Sequence, residues 1–178
     1  MSLVPRLLPL VALLPVLAGC GPERNAFAPA CPTPLLVREL ADIARYRPNA
    51  TGQDLTDLIV QARVVRIDGS CVDGDKRGTV ASTLSITLEA TRGPAMTGKS
   101  IDLPLFMAVA DGESIRDKRS YAARITFDGN LDRVSVSTPP IDLQLPVTAT
   151  KSAAAYSVIA GFQLSPEEVA ANRYRAAR

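Results

Sequence analysis

The sequence predicts a mainly β protein, an antiparallel β-sandwich with one short helix at its C-terminus. From Leu58 to Leu164, apolar and polar residues alternate with a period of two, which is typical of strands that bury one face. Glycines, prolines and Asp-Gly pairs separate the alternating stretches, as turns do. After Ser165 the pattern changes to that of a capped helix. A hydrophobic fraction of 47% with 21% charged residues is sufficient for a folded core.

Residues 1–19 form the predicted signal peptide and stand outside the folded domain. Arg6 supplies the charged start, and the apolar run Leu7–Leu17 leads to the small residues Ala18 and Gly19. This run is shorter than the roughly 20 apolar residues that a membrane-spanning helix requires. The segment is therefore expected to direct secretion and then to be removed.

The end of this segment, Leu17-Ala18-Gly19-Cys20, resembles the lipobox of bacterial lipoproteins. The resemblance implies that Cys20 becomes the lipidated N-terminus of the mature chain, which holds the domain at a membrane that it does not cross. The alternative is an ordinary signal peptide with an incidental cysteine. The residue after the cysteine is Gly21 and not the aspartate of inner-membrane retention, which favours the periplasmic face of the outer membrane.

Residues 20–31 form the predicted tether, and residues 32–178 form a single domain. With Cys20 lipidated, Cys31 and Cys71 remain, and two cysteines in an oxidising compartment are expected to form a disulfide. Such a bond closes a loop of about 40 residues and stabilises the fold by up to roughly 4 kcal/mol. It would join the start of the domain to a turn at Asp68–Cys71. The alternative is a pair of free thiols, one of them reactive.

About seven or eight strands follow from the alternation, which predicts a sandwich of the immunoglobulin-like or fibronectin-like kind. The first segment is ambiguous, because Thr33-Pro34 could open a short helix while Leu35–Val37 could form an edge strand. Pro104 and Pro146 lie within apolar stretches and place those strands at edges or bulges. The predicted core faces contain Leu58, Val60, Ala62, Val64, Val80, Leu84, Ile86, Leu88, Ala90, Ile101, Leu103, Leu105, Met107, Val109, Tyr121, Ala123, Ile125, Phe127, Val134, Val136, Ile141, Leu143, Leu145, Val147, Tyr156, Val158, Ala160, Phe162 and Leu164.

The C-terminal helix is predicted over about 166–178. Ser165 is a suitable N-cap, Pro166 fits the first helical position, and Glu168 completes a capping box. Basic residues near the end of this helix complement its dipole: Arg173, Arg175 and Arg178.

The composition excludes several kinds of chemistry. The chain has no histidine, so Ser-His-Asp catalysis, Cys-His catalysis and histidine-ligated zinc are impossible. Removal of residues 1–19 takes Arg6 from the 20 basic groups and leaves 19 against 18 acidic groups. A net charge of about +1 is too small for an electrostatic footprint on nucleic acid. A Ser-Lys or paired-carboxylate hydrolase stays formally open, but no S-x-x-K motif supports it.

One stretch satisfies the P-loop pattern G-x-x-x-x-G-K-S, with Gly93, Gly98, Lys99 and Ser100 at the defining positions. A P-loop needs a strand before it and a helix after it, whose first N–H groups hold the phosphates. Here apolar residues alternate after Ser100, and Pro104 falls where the first helical turns would be. We interpret the match as chance, in a hairpin loop with an exposed lysine, and expect no nucleotide.

Two charged clusters each have a functional and an ordinary interpretation. Asp68, Asp73 and Asp75 could bind Ca²⁺, but their spacing differs from an EF-hand and Asp-Gly pairs are ordinary turns, so no metal site is predicted. The basic run Arg116–Arg119, with the arginines of the terminal helix, could contact anionic lipid or a cell-wall polymer. The expected role of that run is a solvated face of mixed charge.

Further short stretches span nearly the whole mature chain: Cys31-Pro32, Asp54–Asp57, Gly69–Cys71, Arg92–Ala95, Gly161–Glu168 and Asn172-Arg173. In these stretches the chain resembles an uncharacterised family of alphaproteobacterial lipoproteins. The resemblance implies the domain limits given above and implies no activity. It also implies that Lys99-Ser100 lies outside the recurring pattern.

The leading hypothesis is a lipid-anchored, periplasm-facing protein that is not an enzyme and has a structural or protein-interaction role in the cell envelope. Its expected partners are the membrane, through Cys20, and an envelope protein. No catalytic residue, cofactor, nucleotide or nucleic acid is expected. The alternative is a module that binds a small ligand, an ion or a glycan with the loops at one end of the sandwich.

Overall fold

A computed structural model describes residues 30–48, 50 and 52–176. In it two β-sheets stack face to face, and one short α-helix follows the last strand, so the predicted sandwich with a C-terminal helix is confirmed. The strands are β1 (Thr33–Leu36), β2 (Asp42–Tyr46), β3 (Leu58–Asp73), β4 (Thr79–Arg92), β5 (Ser100–Asp111), β6 (Ser114–Thr126), β7 (Arg133–Ser137), β8 (Ile141–Pro146) and β9 (Tyr156–Phe162), and the helix is α1 (Pro166–Ala176).

The first sheet has the strand order β1-β9-β5-β6, and the second has the order β2-β3-β4-β7, with β8 also paired to β4. Strands β8 and β7 share one edge of β4, because β8 pairs with its first half and β7 with its second half. All of these pairs are antiparallel except β1 with β9, which is parallel. The ambiguous first segment is therefore an edge strand, followed by a 3₁₀ turn at Arg38–Leu40 that leads to the second sheet.

The hydrophobic core lies between the two sheets and is built from the faces that the alternation predicts. Val60, Ile86, Leu103 and Phe162 are fully buried, each contributing roughly 1.5–3 kcal/mol relative to an exposed side chain. At the margins the predicted faces are only partly buried and pack against this core. The partly buried members are Ile101, Tyr121, Val134, Val136, Val147 and Leu164.

The predicted turn at Asp68–Cys71 is wrong, because β3 continues through this stretch to Asp73. Gly69 pairs with Leu84 of β4, and a Cβ atom on Gly69 would overlap the side chain of that leucine. The glycine is therefore required for packing between neighbouring strands and not for a turn. The chain reverses at residues 74–78, where Gly78 has a φ of +77° that favours glycine.

Pro104 does not lie in an edge strand, since β5 is flanked by β9 and β6. Proline has no N–H group to donate. It is tolerated here because β9 ends at Phe162, which pairs with Leu105, so position 104 lies just beyond the paired part of β9. Its carbonyl still accepts from the N–H of Gln163, at 2.9 Å. Pro146 does follow the prediction, as the last residue of β8, whose other edge is unpaired in the described part of the chain.

Cys31 and Cys71 form the predicted disulfide, with their Cα atoms 5.6 Å apart. The bond joins the segment before β1 to the buried Cys71 near the end of β3, close to the turn between β3 and β4. The predicted signal peptide, Cys20 and the tether residues before Ala30 lie outside the described residues, as does Arg178.

The terminal helix is capped as predicted and closes one side of the sandwich. The Ser165 N–H donates to a Glu168 carboxylate oxygen at 2.8 Å, and the Glu168 N–H donates to the Ser165 hydroxyl at 3.3 Å. Glu168 also pairs with Arg45 of β2, so α1 is held where the chain crosses from β1 to β2. Among the described residues, no helix has both the length and the apolar surface needed to cross a membrane.

Candidate functional site

The side of the sandwich opposite α1 is open, and it forms the candidate functional site. Here β6, the edge of the first sheet, faces β7 and β8, the edge of the second. The Arg119 guanidinium reaches across and donates to the Asp142 carbonyl at 3.4 Å. Two cavities lie along this open side, one charged and one apolar.

The charged cavity has a volume of about 430 Å³ and lies near the turn between β5 and β6. Asp111 accepts hydrogen bonds from Lys151 at 2.6 Å and from Arg116 at 2.8 Å. Lys151 also lies 4.3 Å from the centre of the Tyr156 ring, whose hydroxyl donates to the Pro146 carbonyl at 2.8 Å. These contacts hold Lys151 and Asp111 in fixed positions against a rigid aromatic ring.

The same contacts shift two pKa values in opposite directions. The hydrogen bonds from Lys151 and Arg116 hold the pKa of the Asp111 carboxyl below its ordinary value. The hydrogen bond to Asp111 raises the pKa of the Lys151 ammonium above its ordinary value. Both groups therefore stay ionised over a wide range of pH, which suits a structural ion pair and not a proton-transfer pair.

The apolar cavity has a volume of about 360 Å³ and lies farther along the open side. Tyr121 and Ala123 of β6 form one wall, and Val136 of β7 and Ile141 of β8 form the other. The residues 137–140 that connect β7 to β8 complete its rim. The cavity exists because β7 and β8 pair with β4 and not with β6, so no strand among residues 30–176 that the structure describes bridges the two sheets here.

The outer edge of β6 has no partner strand in the described part of the chain. The hydrogen bond from Gln163 shows that the backbone of Pro104 faces β9, so the backbone of Ala122, which pairs with Pro104, faces away from β5. By the alternation of an antiparallel ladder, Lys118, Ser120 and Arg124 also direct their N–H and C=O groups to this free edge.

The structure does not bring together the three aspartates of the weak metal candidate. Asp68 pairs with Arg66 at 2.7 Å, Asp73 ends β3, and Asp75 lies in the following turn. Asp68 and Asp73 are five positions apart along an extended strand, which corresponds to roughly 16 Å. Within the described ranges no group of three or more Asp, Glu or Cys side chains is placed to hold a metal ion.

The P-loop-like stretch connects β4 to β5, and Ser100 begins a strand where a P-loop would begin a helix. Gly93 lies against the backbone of β3: its N–H donates to the Ile59 carbonyl at 2.8 Å, and a Cβ atom on it would overlap the Leu58 carbonyl. The Lys99 carbonyl accepts from the Phe127 N–H at 2.8 Å, which extends the pairing of β5 with β6. Gly93 and the backbone of Lys99 therefore serve strand pairing.

The basic run Arg116–Arg119 lies on β6, while the arginines of α1 lie on the opposite side of the sandwich, so they do not form one patch. Arg119 pairs with Asp117 at 2.8 Å, and Lys118 lies 4.8 Å from the centre of the Phe106 ring. Sequence reasoning missed the cluster of Lys151 with Tyr156, because those residues meet Asp111 only through the pairing of β9 with β5.

Comparisons of the chain with protein-family models, with curated proteins and with solved structures find no match.

The two glycines of the P-loop-like stretch should respond differently to alanine. Gly93→Ala forces a Cβ atom into the Leu58 carbonyl and should lower the free energy of unfolding by roughly 2–4 kcal/mol. Gly98→Ala is the matched control, because the nearest atom to its Cβ would be 3.8 Å away, and should change stability by less than about 1 kcal/mol. Urea unfolding followed by circular dichroism measures both, and equal effects would contradict this assignment.

Asp111→Asn should lower thermal stability at neutral pH, with an effect that fades in acid. Because the pKa of Asp111 is lowered in the folded state, its contribution is present above the ordinary carboxyl pKa and is lost as pH falls through the lowered value. Melting temperatures across an acid titration test this, with Asp128→Asn at an exposed turn as the control. A difference between wild type and Asp111→Asn that stays constant with pH would refute the role of the ion pair.

Proposed function

We propose that this protein is a lipid-anchored, non-enzymatic interaction domain that faces the periplasm from the outer membrane and binds another envelope protein through the free edge of β6. The lipobox-like sequence ending at Cys20 supports the anchor. The disulfide supports the oxidising compartment. The single observation that carries the binding role is the outer edge of β6, a strand of 13 residues beside the apolar cavity, which pairs with no strand among the described residues.

A free strand edge binds an extended segment by continuing the sheet. Lys118, Ser120, Ala122 and Arg124 offer alternate backbone groups that a partner strand would pair with. The side chains of that strand on its core-facing side would then enter the apolar cavity beside Tyr121. Main-chain hydrogen bonds supply affinity in such complexes, and the cavity supplies specificity for one apolar side chain.

The charges on β6 favour an acidic partner segment over a second copy of this chain. The strand carries four basic residues and one acidic residue, so pairing with another β6 would set like charges against each other. Asp102 and Asp111 of β5 bind Arg124 and Arg116, and Asp117 binds Arg119. Lys118 contacts no carboxylate in the described part of the chain, and we expect an acidic residue of the partner beside it.

A second candidate function is supported by the charged cavity, which lies at one end of the sandwich. There Lys151 is supplied by the loop between β8 and β9, and Asp111 by the end of β5. Such a cavity suits a small polar ligand that replaces one partner of the ion pair. In NMR spectra of the protein alone, addition of a small ligand that binds at this position should change the amide resonances of Lys151 and Tyr156.

The anchor is tested by the chemistry of Cys20 in a bacterium that expresses the full chain. Mass spectrometry should find a mature N-terminus at Cys20 that carries acyl groups, and the protein should fractionate with the outer membrane. Cys20→Ser should abolish both, while Cys31→Ser, the matched control, should lower stability without loss of the acyl groups. An unmodified N-terminus at another residue would end this part of the proposal.

The partner is tested by photo-crosslinking from the free edge of β6 in intact envelopes. A crosslinking residue at Ala122 should give one adduct with an envelope protein, whereas the same residue at Glu89, exposed on the outer face of β4, should give none. Ser120→Pro removes an N–H from the free edge and no hydrogen bond to β5, so it should abolish the adduct with little loss of stability.

Ser120→Ala, which keeps the backbone donor, should retain the adduct and serves as the control for Ser120→Pro. The charge-reversal variant Lys118→Glu should weaken crosslinking without removing any backbone donor. An adduct that persists at full yield in Ser120→Pro and in Lys118→Glu would show that β6 is not the binding edge.

A further inference from the structure

A third cavity, of about 460 Å³, lies on the side of the sandwich that α1 covers. Three arginines line it, each from a different element: Arg38 from the 3₁₀ turn after β1, Arg63 from β3, and Arg175 from the last turn of α1. We name it the arginine cavity. It is far from the open side, because α1 contacts the turn at Arg38–Leu40 while β6 is at the opposite edge of its sheet.

The arginine cavity carries an excess of positive charge. Asp42 is the only acidic residue that lines it among the described residues, and Arg63 binds this carboxylate through two hydrogen bonds of 2.6 and 3.3 Å. Three guanidinium groups and one carboxylate give the lining a charge of +2, and the carboxylate of Glu89, opposite Arg63 on β4, lies outside the lining. Like charges gathered at one cavity repel each other, so the arrangement is stabilised when an anion enters.

Two of the guanidinium groups are held in place with donors unused. Asn172 is 6% exposed, and its amide group donates to the carbonyls of Glu39 and Asp42 at 2.8 Å each. Its side-chain oxygen accepts from Arg175, which fixes that guanidinium at the cavity. A guanidinium has five N–H donors, so Arg63 and Arg175 keep most of theirs free.

Arg38 completes the site, because its guanidinium has no hydrogen bond or ion pair in the described part of the chain. The planar donors of arginine match the oxygens of a phosphate better than any other side chain. One wall of the cavity is apolar, formed by Leu36, Ala41 and Val64. Next to Leu36 and Val64 in sequence are two exposed apolar residues, Leu35 in β1 with 47% of its surface exposed and Val65 in β3 with 40%.

We propose that the arginine cavity binds a phosphate group, such as that of a phospholipid headgroup or of a free phosphate compound. The lining charge of +2 fits a phosphate, and the apolar wall fits the carbon atoms attached to it. The site is independent of the proposed β6 interface and of the identity of any protein partner. The phosphate site would lie beside the 3₁₀ turn at Arg38–Leu40, between β1 and β2.

The test uses residues 21–178, which contain every described element, the disulfide and the whole core. Circular dichroism first confirms the β fold of each variant. Isothermal titration with inorganic phosphate, and flotation with vesicles of phosphatidylglycerol in phosphatidylcholine, measure the two sources separately. Arg38→Ala and Arg175→Ala should each weaken binding by about tenfold, as expected for loss of a charge-assisted hydrogen bond.

Arg173→Ala is the matched control, since Arg173 is exposed on the same helix and does not line the cavity. Phosphate and vesicle binding that both fall in the two cavity variants would support a lipid headgroup as the ligand. Phosphate binding without vesicle binding, with the same dependence on Arg38 and Arg175, would support a free phosphate compound. Binding of neither probe, or equal losses in Arg173→Ala, would overturn the phosphate site.

Discussion

The pairing of β4 with three other strands is the constraint on which the rest of the structure depends. Strand β4 meets β3 along one edge, from Val80 to Arg92, and meets β8 and then β7 along the other. Its alternate side chains from Val80 to Ala90 are buried, so a slip of one residue in any of these pairs would expose the core face. The disulfide joins the segment before β1 to the same hairpin at Cys71, which pairs in register with Ser82 of β4.

The two lateral sides of the sandwich differ because only one of them is covered. On one side α1 docks through Asn172 and Glu168 onto the 3₁₀ turn after β1 and onto β2. On the other side β6 has no neighbour in the described part of the chain, and β7 and β8 are short because each covers half of β4. The arginine cavity arises at the covered side, and the apolar and charged cavities arise at the open side. Both proposed binding surfaces thus follow from one asymmetry of the fold.

Many charged residues of the described surface are engaged in ion pairs, so recognition depends on particular groups that are not. Pairs such as Arg63–Asp42 and Arg124–Asp102 join neighbouring strands across the sheet. Exposed pairs of this kind contribute little stability individually, and the opposite charges within each pair largely cancel. A partner would therefore be selected by local features: the unpaired Lys118, the backbone edge of β6, or the guanidinium of Arg38.

The sequence by itself determined the class of the fold and the core faces, through its alternation, and the cap of α1, through Ser165 and Glu168, because these features depend on neighbours only a few residues away. Side chains of a strand alternate between two faces whatever the strand pairs with, and Ser165 and Glu168 bond to each other's backbone. Only the tertiary structure decided that Gly69 packs under Leu84, that Pro104 lies in a central strand, and that Gly93 contacts β3. It also decided which cations are paired, since Lys151 and Asp111 are 40 residues apart. Strand order and register are set by contacts between distant segments, and no local pattern of residues records those contacts.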